Sequence, residues 1–119
     1  MSIVTAYGQR IENTILVTLT GTVYKNTFVL ISGVTAGSGV LCVGVALEDG
    51  VSGQNISVQI AGIAKVKVGS AGVTNAGDPV QSDGSGYAVS QSSTNIKLGQ
   101  SFQSGTSGNY VDVHLWAAA

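Results

Sequence analysis

The chain of 119 residues is long enough for one domain with its own hydrophobic core and too short for a comfortable second one. Apolar residues make up 44% of it, which excludes a wholly disordered chain, whereas charged residues make up only 9%, against roughly 25% in ordinary soluble domains. The net charge of −1 and the five scattered Lys and Arg residues exclude a basic stripe for nucleic acid. A largely uncharged surface costs little to desolvate, which favours permanent packing against a protein neighbour.

Glycine divides the chain into many short segments. The 17 Gly residues separate short runs rich in β-branched residues, and no window carries an apolar stripe at helical spacing. The longest apolar run is far too short to span a bilayer as a helix. The sequence therefore predicts an all-β fold, a small antiparallel β-sandwich or barrel. We predict strands at residues 15–24, 28–31, 40–47, 54–60, 63–68, 79–81, 87–90, 96–102 and 109–116.

The first three predicted strands differ in how many of their faces are apolar. Residues 15–24 alternate between an apolar face and a face rich in Thr, which is typical of a half-buried strand. Residues 28–31 are apolar throughout, which predicts burial on both faces. In residues 40–47 one face carries small side chains, including Cys42 and Gly44, which predicts close approach by another segment. Cys42 is the only cysteine, so an intrachain disulfide is excluded.

The next two predicted strands, residues 54–60 and 63–68, follow each other closely. In the first, alternation predicts that Ile56 and Val58 point inward and that Gln59 points outward. Residues 63–68 repeat the alternation, with Lys65 and Lys67 pointing outward.

An internal repeat links the middle of the chain to its end. The segment GVALEDGVSG at residues 44–53 aligns without gaps with GQSFQSGTSG at residues 99–108, and the glycines coincide. The same register places Ile56, Val58 and Ile60 over Val111, Val113 and Leu115. Each half is therefore predicted to end in the same strand, turn, strand unit, and two such hairpins can pack into one sandwich or barrel.

Residues 1–13 are predicted to be an extended N-terminal arm, and residues 14–119 a single β domain. The arm is amphiphilic without a helical stripe, which suits a segment that adds a strand to a neighbour's sheet; a frayed terminus is the competing interpretation. It lacks the charged start and long apolar stretch of a signal peptide, so secretion by that route is not expected. Its candidate interface residues are Ile3, Val4, Tyr7, Arg10 and Ile11.

The last predicted strand, residues 109–116, has two unlike faces. Val111 and its apolar neighbours point toward the core, whereas Tyr110, His114 and Trp116 point outward. Exposed Tyr and Trp side chains are common interface anchors, so these three residues are candidate contacts with a partner protein or another subunit. For Trp116, covering one end of a barrel is an equally open interpretation.

No group of side chains has a catalytic or metal-binding pattern. His114 and Asp112 share a strand face, but residues two apart on a strand are too distant for the tight hydrogen bond between a base and its orienting carboxylate. The acidic residues lack the spacing of a calcium loop, and turn chemistry explains them. We therefore expect no enzyme activity, no cofactor and no metal.

A series of short motifs runs through most of the chain: VGVALEDG at residues 43–50, VQIAGI at 58–63, AGDPV at 76–80, IKLG at 96–99 and VDVHL at 111–115. Each motif alone is a common sequence for a turn or a short strand in a β protein. In this order and spacing, over residues 28–116, they resemble the small capsid decoration, or cement, proteins of tailed bacteriophages. The chain departs from that family at Gln81, where an aromatic residue is frequent, in its lower charge, and in its WAAA ending.

The resemblance implies a non-catalytic protein of the virion, made in the host cytoplasm and placed on the outer surface of the capsid. It further implies a homo-oligomer, with a trimer favoured, that binds the major capsid protein and stabilises contacts between its subunits. Neither nucleic acid nor membrane is an expected partner. The alternative function is a small carbohydrate-binding or tail-associated adhesin module in which Tyr87, Tyr110 and Trp116 stack on sugar rings.

Overall fold

The computed structural model describes residues 10–92 and 94–116, with residues 10–12 described by their backbone alone. No helix occurs in these ranges. The strands are β1 Arg10–Thr18, β2 Phe28–Val29, β3 Gly44–Ala46, β4 Asn55–Lys67, β5 Pro79–Ser82, β6 Ala88–Ser90, β7 Gly99–Ser101 and β8 Tyr110–Leu115.

All eight strands belong to one sheet with antiparallel pairing throughout. Its order is β2-β3-β4-β8-β7-β5-β6, and β1 pairs with β4 beside this path. An isolated parallel bridge joins Val68, just after β4, to Ala88 of β6. Because this bridge brings the far edge strand back to the middle of the sheet, the sheet is barrel-like and nearly closed. The prediction of a small antiparallel all-β fold is confirmed.

Strand β4 is the centre of the sheet. Its 13 residues replace the two separate strands predicted from the sequence. The chain continues through Gly62, which has a φ of 86°, because both edges of β4 are paired there. β1 lies along one edge, and β3 followed by β8 lies along the other.

The pairing register confirms the internal repeat. In the β3–β4 hairpin Val45 lies opposite Gln59, and in the β7–β8 hairpin Gln100 lies opposite His114. Gln100 follows Val45 along the chain by the same number of residues as His114 follows Gln59. The two hairpins are therefore the same unit in the same register.

The repeat extends beyond these hairpins and makes β4 common to both halves. Ile15 of β1 lies opposite Val58 in the first part of β4, just as Ala64 in the second part of β4 lies opposite Val113 of β8. The first part of β4 is thus the last strand of the first half, and its second part is the first strand of the second half.

Each half has its own hydrophobic core. The core of the first half consists of Val17, Leu19, Val23, Val29, Ala46, Ile56 and Val58. The core of the second half includes Val66, Val68, Val73, Val80, Val111 and Val113. In the pairing of the strands, these six residues occupy the same positions as the residues of the first core other than Ala46. Phe28, Val45 and Cys42 of the first half also pack into this second core, so one half is docked on the other. Burial of each such side chain contributes about 1.5–3 kcal/mol to folding.

The docking of the two halves overturns the predicted orientation of Gln59. This side chain was expected to point outward, but it is 0% exposed, and its Nε2 donates to the carbonyl oxygens of Ala61 at 2.8 Å and Ile63 at 3.1 Å. Its neighbour across the sheet, Val45, packs into the second core. The face of β4 that carries Gln59 is therefore covered by the other half of the protein.

One apolar segment is more exposed than predicted, and one strand begins later than predicted. Ile31 was expected to be buried, yet it is 69% exposed, because β2 ends at Val29 and the chain turns, with the Gly33 amide donating to the carbonyl oxygen of Leu30. Leu41 is 51% exposed, because β3 begins only at Gly44, later than predicted.

The predicted arm overlaps β1. That strand begins at Arg10, which lies opposite Ile63 of β4, so residues 10–13 are part of the sheet rather than of an arm. Residues 1–9, including Ile3, Val4 and Tyr7, lie outside the described residues.

Candidate binding surfaces

The candidate interface residues of β8 are spread along the whole strand. Tyr110 is its first residue and Trp116 directly follows its last, so the two lie about 20 Å apart at the usual rise of a strand. His114 lies between them, exposed, opposite Ile63 on one side and Gln100 on the other. The structure therefore places the predicted residues on one face, as expected, but at two separate surfaces.

The first surface, here called the apolar end, lies where β8 ends. It contains a groove of about 390 Å³ that is almost entirely apolar. Leu41 and Val43 line this groove and also a narrower cleft that reaches Ile60 and Trp116. The groove and the cleft thus form one continuous surface. We define the apolar end by Leu30, Ile31, Leu41, Val43, Ile60 and Trp116.

Backbone hydrogen bonds hold the apolar end in place. The Trp116 amide donates to the carbonyl oxygen of Leu98 at 3.1 Å, which fixes the chain beyond β8. The Val43 amide donates to the carbonyl oxygen of Val29 at 2.9 Å, and the turn after Leu30 directs Ile31 outward. Ile31 and Trp116 are therefore exposed on a backbone held by hydrogen bonds, so little conformational entropy would be lost on binding.

Cys42 lies beneath this surface as a packed, unreactive side chain. Burial raises the pKa of its thiol to about 11, an effect that a hydrogen bond with Ser82 partly offsets. Since the thiolate is the nucleophilic form, Cys42 is essentially unreactive at neutral pH.

The second surface, here called the tyrosine depression, lies at the opposite end of β8. Tyr24, Tyr87 and Tyr110 line a concavity of about 430 Å³. The ammonium group of Lys67 lies 5.2 Å from the centre of the Tyr87 ring, within the range of a cation–π contact. The polar side chains of the depression are Lys25, Asn26, Thr27, Asp49 and Lys67.

The tyrosines of this depression were only partly anticipated. The sequence identified Tyr87 and Tyr110 as possible sugar-stacking residues, and the structure places them together. It separates Trp116 from them and supplies Tyr24 in its place. Tyr24 lies on the Thr-rich, outward face of the predicted strand 15–24, so its exposure could have been predicted from the alternation. The exposure of Ile31 could also have been predicted, because the turn-forming pair Ser32 and Gly33 follows it directly.

Asp112 is bonded to Gln103 rather than to His114, with its amide donating to the Gln103 Oε1 at 2.7 Å and its carboxylate accepting from Nε2 at 3.0 Å. Within residues 10–92 and 94–116, no group of three or more His, Cys, Asp or Glu residues could hold a metal ion. No helix in those ranges is long and apolar enough to cross a membrane.

Comparison with known proteins agrees with this picture. A sequence profile of phage cement proteins matches residues 9–115. The chain belongs to the phage cement protein family. Members of this family are structural proteins of the phage capsid, which fits two surfaces suited to binding.

The fold is similar to that of the head fiber gp8.5 N base in bacteriophage phi29, known from a crystal structure. The TM-score is 0.72, with 87% of this chain and 93% of that chain covered. The sequence identity is 16%, so this likeness concerns the fold alone. No curated protein sequence matches the chain.

Proposed function

We propose that this cement protein binds the outer surface of a tailed-phage head as a homotrimer and stabilises contacts between major capsid protein subunits. The observation that carries the proposal is the apolar end. Ile31, Leu41 and Trp116 are 69%, 51% and 40% exposed there. Ile31 and Leu41 line the apolar groove, and Trp116 lines the adjoining cleft, which also contains Lys97. Large exposed apolar patches on a stable domain mark places where another protein binds.

The chemistry of the apolar end suits a lasting contact with a protein shell. Apolar surface contributes about 25 cal/mol per Å² when it is buried, and few charges have to be desolvated in the process. A trimer would present three apolar ends to a shell of repeated subunits, so that each contact raises the effective concentration of the next. Weak individual contacts can then give stable decoration and brace neighbouring coat subunits.

The N-terminal segment belongs to the same proposal as a contact between subunits. Among the described residues β1 pairs with β4 alone, so its second edge can accept another strand, and Leu16 on this strand is 70% exposed. We assign this contact to the residues that precede and begin β1. They are Ile3, Val4, Tyr7, Arg10 and Ile11.

The test combines a mass measurement in solution with sedimentation on expanded, undecorated phage shells. We expect a trimer that cosediments with shells. The variants Ile31→Glu and Leu41→Glu place a charge on the apolar end without touching the core, and each should reduce shell binding at least about tenfold. Val51→Glu is the matched control, because Val51 is also an exposed apolar residue but lies in the turn between β3 and β4.

Three outcomes would contradict parts of this proposal. A wild-type protein that ignores shells would reject shell binding itself. Equal binding by all three variants would show that the apolar end is not the contact surface. A monomeric mass, both free and on shells, would reject the trimer.

A further inference from the structure

We infer that the tyrosine depression is a binding site for a pyranose oligosaccharide. Tyr24 and Tyr110 are exposed and Tyr87 is half-buried around the same concavity of about 430 Å³. A volume of this order lies in the range of small-ligand sites. Pyranose rings present flat C–H faces that stack on aromatic rings, while their hydroxyl groups require hydrogen-bonding partners at the rim.

The fold itself does not require these tyrosines. Tyr110 lies opposite Lys67, and the corresponding pair of the first half is Asn55 with Thr18. Tyr24 follows Val23, whose bridge to Gly50 has its counterpart in the bridge from Val73 to Gly105.

The repeat counterparts of Tyr110 and Tyr24 are therefore Asn55 and Thr74, neither of which is aromatic. The same backbone positions are built elsewhere in the protein without a ring. The fold can thus be built without a ring at these two positions, which leaves Tyr24 and Tyr110 available for a role in binding.

The backbone beneath each tyrosine is fixed. The hydroxyl group of the buried Thr27 donates to the carbonyl oxygen of Tyr24 at 2.6 Å, and the Tyr87 amide donates to the Asp83 carboxylate at 3.0 Å. Tyr110 is held by its pairing with Lys67 in the sheet. Tyr24 and Tyr110 are therefore exposed rings on a backbone held by hydrogen bonds, which reduces the entropy lost on binding. The Tyr87 ring carries the Lys67 ammonium over one face and forms the wall of the depression between them and that cation.

The polar groups of the depression complement the hydroxyl groups of a sugar. Lys67 offers an ammonium donor beside the Tyr87 ring, Asn26 offers both a donor and an acceptor, and Asp49 offers carboxylate oxygens. One Asp49 oxygen accepts the Lys25 amide at 2.7 Å, which holds the carboxylate at the rim. This mixture of aromatic rings and both hydrogen-bonding types favours a carbohydrate. A coat protein is better matched by the apolar end.

The position of the depression leaves it free on a decorated shell. It lies about 20 Å from Trp116, at the opposite end of β8. If the apolar end faces the shell, as in the function proposed above, the tyrosine depression faces outward. Sugar binding by the free protein does not depend on that orientation.

The test is an NMR titration of the isolated protein with three trisaccharides: chitotriose, cellotriose and maltotriose. We expect saturable shifts with at least one of them, at dissociation constants of about 0.1–1 mM. Tyr24→Ala and Tyr110→Ala should each weaken this binding at least about tenfold, because each removes a stacking ring. Tyr110→Phe should retain most of it. Trp116→Ala and Phe102→Ala are matched controls, being exposed aromatic residues outside the depression, and should bind like the wild type.

Binding that the tyrosine variants lose and the controls keep would support the site. No saturable shift with any of the three sugars up to about 10 mM would overturn it. Binding that both tyrosine variants retain would also overturn it, because the sugar would then sit elsewhere. If the tyrosine variants lost shell cosedimentation while the wild type bound no sugar, the depression would be a coat-protein contact and the inference would be wrong.

Discussion

Two glycines at equivalent repeat positions allow the strands of each hairpin to approach closely. A Cβ atom on Gly44 would lie 2.1 Å from the carbonyl oxygen of Gln59, and one on Gly99 would lie 2.3 Å from that of His114. Both obstacles are backbone atoms of the neighbouring strand, which cannot move aside as a side chain could. The sequence predicted close approach at Gly44, and the structure shows that Gly99 has the same role.

Replacing either glycine by alanine should therefore force its hairpin apart. We expect Gly44→Ala and Gly99→Ala each to lower the free energy of unfolding by about 1–3 kcal/mol, measured by urea denaturation. Gly84→Ala is the control, because a Cβ atom there meets nothing within 4 Å, and its cost should stay within about 0.5 kcal/mol. Equal stability of all three variants would show that the sheet relaxes around the added methyl groups.

The buried thiol of Cys42 should make stability depend on alkaline pH. In the unfolded chain the thiol loses its proton near its ordinary pKa of 9.0, whereas burial raises the folded pKa to about 11. Between these values the unfolded chain binds fewer protons than the folded protein, so the free energy of unfolding falls as pH rises. Below the lower value the contribution is constant.

The measurement compares urea unfolding of the wild type and Cys42→Ala from about pH 8 to about pH 11. The wild type should lose more stability than the variant across the window, because only the wild type carries the buried thiol. Parallel curves would mean that the thiol is not desolvated in the folded state.

At the scale of strands and hairpins, the repeat was predictable and the continuity of β4 was not. Glycine spacing fixes where a chain can turn, so aligned glycines were sufficient to predict equivalent hairpins at residues 44–60 and 99–115. The sequence predicted two strands, residues 54–60 and 63–68, where the structure has one. Pairing on both edges kept the strand intact, and such long-range pairing leaves no mark in local sequence.

Long-range contacts also explain why the burial of Gln59 could not be predicted from local sequence. Its repeat counterpart His114 is exposed, while Gln59 is fully buried, although both occupy the same place in the same hairpin. Alternation assigns a residue to one face of a strand, but it does not say which face the other half of the protein will cover. Only the docking of the halves distinguishes the two positions.

The two cores should respond independently to cavities at equivalent positions. Val58 belongs to the core of the first half and Val113 to that of the second, and both are fully buried. Val58→Ala and Val113→Ala should each cost about 1–3 kcal/mol, because each removes two methyl groups from a closed core.

The double variant tests whether the halves unfold together. Because the substitutions lie in separate cores, their costs should add to within about 0.5 kcal/mol. Denaturation should remain a single transition, since β4 belongs to both halves. Two separate transitions would show that the halves are independent folding units.

At the scale of the whole molecule, the sequence identified the residue types of the binding surfaces but not their grouping. Low charge and outward aromatic residues on the last strand indicated an interaction protein, and family membership agrees with that. Tyr110 and Trp116 share a face of β8, yet the length of the strand separates them into two surfaces. Tyr24, Ile31 and Leu41 complete those surfaces from distant parts of the chain, which only tertiary structure brings together.

The composition of the whole molecule also predicts how shell binding responds to salt. With a net charge of −1, and with apolar side chains lining the proposed contact, little of the binding free energy should come from attraction between charges. Screening acts on exposed charges and leaves apolar burial intact or slightly strengthened. We expect the dissociation constant for expanded shells to change less than about threefold between about 50 and 500 mM NaCl.

Sedimentation at several salt concentrations would measure this dependence, with a shell-bound basic peptide as a salt-sensitive control. A weakening of tenfold or more would show that the few charged residues carry the contact. In that case the apolar end would have to face another subunit of the oligomer, and Ile31→Glu should lower its association state rather than its shell binding. The salt series and that variant together therefore assign the apolar end to the shell or to the oligomer.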